Sequence, residues 1–215
     1  MRKIVPPKLK WKYVGDESPE KRKESEERVR QVYDRIFTAV DDNIRMKKSA
    51  GFGRMKKNMD DKHFLQLAIE QAIKSVNEGG FPAGAVVVKN NTVVSEGVSL
   101  GFKLNDPTSH AETASMREAC KRLKTIDLSG ATLYASLQPC LMCFSVANWS
   151  GISRIVFGCE KTKEMAKKGY YEGFTDINAV NQENNRKIEL VFLPDFEKEM
   201  LDLVKSWEKK WEVKG

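Results

Sequence analysis

Residues 131–158 read ATLYASLQPCLMCFSVANWSGISRIVFG, and this stretch decides the fold. Residues 131–136 form a short apolar run suited to a buried strand, and Pro139 opens a helix at the position where proline's missing N–H costs nothing. Ser150 and Gly151 stop that helix, and residues 154–158 supply another strand. The same alternation continues on both sides. Upstream, Asp60 or Asp61 can cap a helix whose core face is Leu65, Ile69, Ala72 and Val76 and which Gly79 and Gly80 end. Residues 84–89 and 92–96 then flank Asn90 and Asn91, whose tolerance of left-handed backbone suits a tight hairpin. A helix over about 109–124 follows Pro107. Downstream come an irregular helical stretch to about Gly169, a polar loop, a strand over 188–193 and a last helix from Asp195. That helix places Phe196, Met200, Leu203, Val204 and Trp207 on one side. Helices alternating with strands predict a mixed sheet covered on both faces, an α/β fold arranged as a three-layer α/β/α sandwich.

The chain has 215 residues, 40% hydrophobic and 31% charged, an ordinary globular composition with room for one well-cored domain and an appendage. Its longest apolar run, residues 85–88, falls far short of the roughly 20 residues of a membrane span. Residues 1–11 pass from basic residues into Pro6 and Pro7 without an apolar core, so no secretory signal is expected. Four cysteines are too sparse for a disulfide scaffold. The expected compartment is the cytoplasm.

Charge divides the chain at about Asp60. Of 37 basic and 30 acidic residues, 17 and 10 lie in residues 1–60, so the whole excess of +7 sits there. Residues 17–45 carry Val29, Val32, Tyr33, Ile36, Phe37, Val40 and Ile44 at helical spacing, and residues 46–57 read as a flexible basic linker. Residues 1–60 are therefore expected to be a basic, partly helical extension, and residues 61–215 the folded domain. Lys47, Lys48, Arg54, Lys56 and Lys57, with Phe52 to stack on a base, could hold RNA or DNA. The apolar helix face favours a different use, docking on the domain or pairing with a second copy.

Two short motifs carry chemistry. His110-Ala111-Glu112 and Pro139-Cys140-Leu141-Met142-Cys143 both open helices. Cys140 and Cys143, three apart on a first turn, face the same way, and the helix start favours their thiolates. With His110 they make three ligands for Zn²⁺, which prefers four. Cys120 lies ten residues beyond His110, about 15 Å along the helix, and cannot join. A water in the fourth position makes the site catalytic, because zinc can lower that water's pKa to about 7. Glu112 beside it can move protons between the water, a ring nitrogen and a leaving amine, which is hydrolytic deamination.

Residues 105–112 (NDPTSHAE), 131–143 (ATLYASLQPCLMC) and 152–158 (ISRIVFG) resemble the cytidine and deoxycytidylate deaminase superfamily. They are most similar to its branch containing guanine deaminase, tRNA-specific adenosine deaminase and fungal-type cytosine deaminase. The resemblance spans roughly residues 61–210. It implies a five-stranded mixed sheet whose fifth strand runs parallel to the fourth, zinc held by His110, Cys140 and Cys143, a proton shuttle at Glu112 and a base contact from the Ala111 N–H. It also implies a homodimer. Two positions depart from the pattern. Ser99 stands where relatives usually carry a base-holding Asn, and Gln138 where many carry Glu; a hydroxyl cannot repeat an amide's paired donor and acceptor. Phe81, Phe144, Trp149, Tyr170, Tyr171 and Phe174 are candidates for the pocket wall.

Plainer readings exist for each residue. Ser109 and Glu112 also fit a capping box, and a lone CxxC can hold structural zinc. His63 reads as a solvated helix residue, Cys120 as a core-facing thiol and Cys159 as a small residue ending a strand. Three functions follow: a zinc-dependent deaminase of a free purine or pyrimidine base or nucleoside, guanine first; an adenosine-to-inosine deaminase of tRNA; or a non-catalytic zinc-stabilised binding module.

Overall fold

Asn90 and Asn91 take φ of 54° and 59°, the left-handed conformation that a two-residue hairpin requires at both central positions. They join β1 (Phe81–Lys89) to an antiparallel β2 (Thr92–Ser99). Both strands outrun the predicted 84–89 and 92–96. Past the register shift between Phe81 and Gly84, Phe81 pairs with Ser99 and prolongs the ladder beyond what alternation shows.

In the computed structural model, which describes residues 61–212, helix α1 (Asp61–Asn77) precedes this hairpin. A four-residue turn of helix, α2 (Gly101–Leu104), and helix α3 (Ala111–Leu123) follow it. Then come β3 (Thr132–Ala135), α4 (Leu141–Ser150), β4 (Arg154–Phe157), α5 (Lys163–Lys167), α6 (Ile177–Glu183), β5 (Glu189–Phe192), a 3₁₀ turn (Pro194–Phe196) and α7 (Glu197–Glu212). The five strands form one mixed sheet in the order β2-β1-β3-β4-β5, with β4 parallel to both β3 and β5. The expected helix in 17–45 and linker in 46–57 lie outside the described residues. Within them, no helix is long and apolar enough to cross a membrane.

Alternation along β1 makes the three layers. Ala85 and Val87 face one core with Ala111, Met116 and Ala119 of α3 and Phe144 and Ala147 of α4. Val86 and Val88 face the other with Phe64, Leu65, Ala68 and Ile69 of α1 and Met200 and Val204 of α7. Gly84 allows α1 to lie this close: a Cβ there would stand 2.2 Å from the Ala68 carbonyl oxygen.

Several expectations need correction. Val76 is half-buried, because Ser75 takes the inward position with its hydroxyl 2.7 and 2.9 Å from the Phe81 and Ser99 carbonyls. Part of the stretch expected as polar loop is α6, whose Asp176 side chain caps the Asn178 N–H at 2.8 Å while Ile177 enters the core. Phe196 belongs to the 3₁₀ turn rather than to the last helix.

Asp61 holds α1 to the sheet instead of serving only its own helix end. Its carboxylate accepts both terminal nitrogens of Arg154 at 2.6 and 2.8 Å and the Tyr134 hydroxyl at 2.8 Å. Arg154 also reaches Glu189, its cross-strand partner, at 3.2 Å. The guanidinium outweighs burial and holds the Asp61 carboxyl below its ordinary value, so this clamp contributes stability above about pH 4 and loses it as acid protonates the folded carboxyl. Asp61→Asn is expected to cost about 1–2 kcal/mol at pH 7 in urea unfolding and to shrink that difference below about pH 3.

Candidate active site and metal centre

Because β2 and β3 both run antiparallel to β1, and β4 and β5 follow β3, the strands β2 to β5 all point the same way. Their C-terminal ends share one edge. The segments leaving them therefore start together, which is where open α/β sheets place their sites. His110 is the N-cap of α3 and Cys140 the N-cap of α4, each with extended backbone and neither capping its helix with its side chain. Both side chains turn toward each other instead. His110 Nδ1 lies 3.5 Å from the sulfur of Cys140 and 3.5 Å from that of Cys143. Tetrahedral zinc with Zn–N of about 2.0–2.1 Å and Zn–S of about 2.3 Å sets a nitrogen and a sulfur about 3.5 Å apart, so the three donors fit that ion. The ligating atoms lie within 4.8 Å of one another, and among the described residues no fourth side chain joins the cluster.

The helix starts fall later than expected, by one residue at α3 and by two at α4. Ser109 precedes the N-cap, which puts Glu112 at the second helical position and removes the capping box. Pro139 likewise lies before α4 rather than in its first turn. Glu112 is left with other neighbours. It is buried, and its Oε2 lies 3.6 Å from the Cys143 sulfur. Burial, and then the charge of the Cys140 thiolate, push its carboxyl up to about 7. Hydrogen bonding with Cys143 and then with His110 holds the Cys140 thiol down at about 5, while Cys143, whose thiol donates to Glu112, is pushed well up. Thr113, whose hydroxyl is 3.4 Å from the Cys143 sulfur, closes the far side.

A glycine makes this convergence possible. A Cβ at Gly97 of β2 would stand 2.1 Å from the Ala111 carbonyl oxygen and 2.7 Å from the Ser115 nitrogen, so α3 rests directly on strand backbone. The Ser95 hydroxyl, donating to the Ser115 carbonyl at 2.7 Å, fastens the same contact.

The cluster opens into a cavity of about 440 Å³. His110, Glu112 and Cys140 form one side of it, with the predicted Phe81 and Ser99, and Tyr170 and Tyr171, on its other walls. Ala111 is fully buried beside them at the start of α3. Trp149 and Phe174 do not reach it. Trp149 is 87% exposed near the far end of α4, about 13 Å of helix rise from Cys140, and Phe174 is 64% exposed beyond the turn at Gly173. Phe144 is buried in the core. Lys47, Lys48, Arg54, Lys56 and Lys57 lie outside the described residues. The walls also include Phe102, Asp106 and Trp207, none of them predicted. Trp207 had only the helical spacing of a core residue, which cannot distinguish a core from a cavity wall, and Phe102 and Asp106 lay in a stretch without periodicity.

Residues 58–159 match the family model of the cytidine and deoxycytidylate deaminase zinc-binding region. The chain is 43% identical over 107 residues to a tRNA-specific adenosine deaminase of Buchnera aphidicola subsp. Baizongia pistaciae, covering 50% of this chain and 65% of that one. It is 37% identical over 117 residues to a guanine deaminase of Bacillus subtilis, covering 54% and 74%. Thus the chain spans just under two thirds of the first relative and about three quarters of the second. A structure from a study of A-to-I editing by tRNA:A34 deaminases at the wobble position of transfer RNA superposes with a TM-score of 0.58 at 29% identity, over 66% of this chain and 99% of that one.

Gly97→Ala should force α3 off β2 and carry His110 and Glu112 with it. The expected result is a loss of about 2–3 kcal/mol in unfolding free energy together with less than one zinc per chain by atomic absorption. Full zinc content at unchanged stability would mean that the close approach does not set the site.

Proposed function

The chain belongs to the cytidine and deoxycytidylate deaminase family, and from that premise we propose that it is a zinc-dependent hydrolase. It replaces the amino group of a free nucleobase or nucleoside by a carbonyl oxygen and releases ammonia, with guanine the first substrate to test. The observation carrying this reading is the buried Glu112 carboxylate beside the His110, Cys140 and Cys143 donors on one side of the cavity. His110, Cys140 and Cys143 would hold the metal. When bound, zinc supplies a nucleophilic water at neutral pH. Glu112 would take one proton from the attacking water and deliver it to a ring nitrogen. It would then take the second from the hydroxyl newly added to the carbon and deliver it to the departing amine, so that the carbonyl forms as the C–N bond breaks. Burial suits it to both directions of transfer, because its raised proton affinity lies near neutrality. Ser99 and Phe81, both on the cavity wall, face the base, and Ala111, fully buried behind it, lies outside the lining.

No lysine or arginine stands among the described residues that line the cavity, which favours an uncharged substrate over a phosphorylated one. A second reading, adenosine deamination within tRNA, draws on the Buchnera relative and the wobble-position structure. On that reading the basic residues 1–60 anchor the RNA, and the target base is flipped into the cavity. Residues 61–215 form the deaminase domain on either reading. Four free thiols suit a reducing cytoplasm. The exposed Trp149 and Ile126 (83%) suit a homodimer, which light scattering would read as twice 24.5 kDa.

Zinc-loaded protein should release ammonia from at least one member of a panel of free bases and nucleosides. Inosine formed only in folded tRNA would select the second reading, and silence on every substrate would leave a non-catalytic zinc module. Glu112→Gln is expected to keep one zinc per chain and lose turnover by about 10²–10⁴-fold, whereas Cys140→Ala and Cys143→Ala lose the metal. A zinc-free Glu112→Gln protein would show the ligands to be misassigned.

A further inference from the structure

Residues 169–173 join three elements around the cavity. Gly169 (φ 77°) and Gly173 (φ 121°) bound the turn in conformations that side chains rarely adopt. Between them, three consecutive side chains reach three different places. The Tyr170 hydroxyl donates to Glu208 of α7 at 2.8 Å, and its ring packs on Phe81 and Trp207 with centroids 5.1 and 5.9 Å away. The Tyr171 hydroxyl donates to the Gln138 carbonyl at 2.9 Å, two residues before Cys140. Glu172 accepts the Leu141 N–H at 3.0 Å, the residue after Cys140. Both flanks of the Cys140 turn are thus held from one segment.

Lys161 pins that segment. Its Nζ donates to the Gly173 carbonyl at 3.3 Å and to the Thr175 carbonyl, and lies 5.5 Å from the centre of the Tyr171 ring. Its own N–H donates to the Gln138 side-chain oxygen at 2.8 Å, and the Gln138 N–H donates to the Cys159 carbonyl at 2.7 Å. Glu172 is exposed, and an exposed carboxylate on one helix N–H is a weak tether by itself. It becomes a firm one only if the backbone carrying it is fixed, and Lys161 is the charged group that fixes it.

We propose that residues 169–173 are a positioning strap, pinned by Lys161, that sets the first turn of α4 and with it the two sulfur donors, while holding Tyr170 and Tyr171 as cavity wall. Lys161 and Glu172 are positioning residues. What the positioned site does rests on the deaminase reading; the coupling between strap and metal turn does not.

The test uses the full chain loaded with zinc. Lys161→Met should speed amide exchange in residues 170–173 and at Leu141 by tenfold or more, the size expected for losing charge-assisted hydrogen bonds, and leave β1 and β3 unchanged. Zinc should pass to a competing chelator faster by a similar factor, and Lys161→Arg, which keeps a cation and several donors, should restore both. Tyr171→Phe, which removes one hydroxyl and little volume, should give the same pattern more weakly and serves if the lysine variant does not fold. Unchanged exchange at 170–173, faster exchange spread evenly through the sheet, or a mobile strap with normal zinc release would each overturn the proposal. Wild-type protein inactive on every substrate would remove the deaminase reading and still allow the coupling to be measured.

Discussion

Parallel direction among strands that are not neighbours is the constraint on which the site depends. β2 and β3 are separated by β1, yet both oppose it, so both deliver the chain to the same edge and the helices that follow begin side by side. The imidazole comes with one helix and the sulfurs with the other. Neither helix alone carries more than two donors. If β2 ran the other way, parallel to β1, His110 and Cys140 would stand at opposite ends of the sheet with their local sequences intact. The backbone contact at Gly97 then sets how deep α3 sits, and the N-cap geometry of each helix turns the donors inward.

Burial does the rest. A carboxylate in water beside thiolates would be screened and would titrate near its ordinary value. Enclosed with them, Glu112 is penalised for its charge by desolvation and then by Cys140. The group to which the proposed reaction gives the proton transfers is thus the one the fold has made reluctant to ionise. That arrangement works against stability, since a buried acid beside a thiolate is a liability until a cation balances it. Stability is concentrated elsewhere, in the two apolar layers and in the Asp61–Arg154–Tyr134 clamp.

What the sequence made legible follows the range of the interactions involved. His110, Cys140 and Cys143 could be picked out because metal ligation demands particular atoms at particular local spacings, and the Asn90-Asn91 turn because its φ angles exclude most residues. The strands β1, β3 and β4 were legible as short apolar runs. The cavity wall was not. Phe81, Tyr170 and Tyr171 line it and Trp149 and Phe174 do not, although all are aromatic residues near ends of elements. What separates them is which remote segment packs beside each, and no local pattern records that. Trp207 shows this most clearly, since its helical stripe is identical whether α7 faces a core or a cavity. Helix α6 escaped for a different reason. Its seven residues are too few to establish a period, and only the Asp176 cap announced it.

The division between legible and illegible residues coincides with a division of labour. The metal donors and Glu112 stand on two helix starts fixed by the sheet's topology, and the shape of the cavity comes from a β1–β2 end, a glycine-bounded turn and the last helix. At that strand end Ser75 receives the Ser99 N–H at 3.1 Å while its own hydroxyl lies against the Ser99 and Phe81 carbonyls, so the Ser99 backbone is fixed from behind and only its short side chain faces the cavity. An amide there would extend farther and offer a donor and an acceptor together; serine leaves more room and a single hydroxyl. Changing that residue alters what the cavity accepts without moving His110, Glu112 or either sulfur, because none of the hydrogen bonds that position them passes through the Ser99 side chain. The placement of the metal donors and Glu112 and the shape of the cavity beside them are therefore physically separable in this fold.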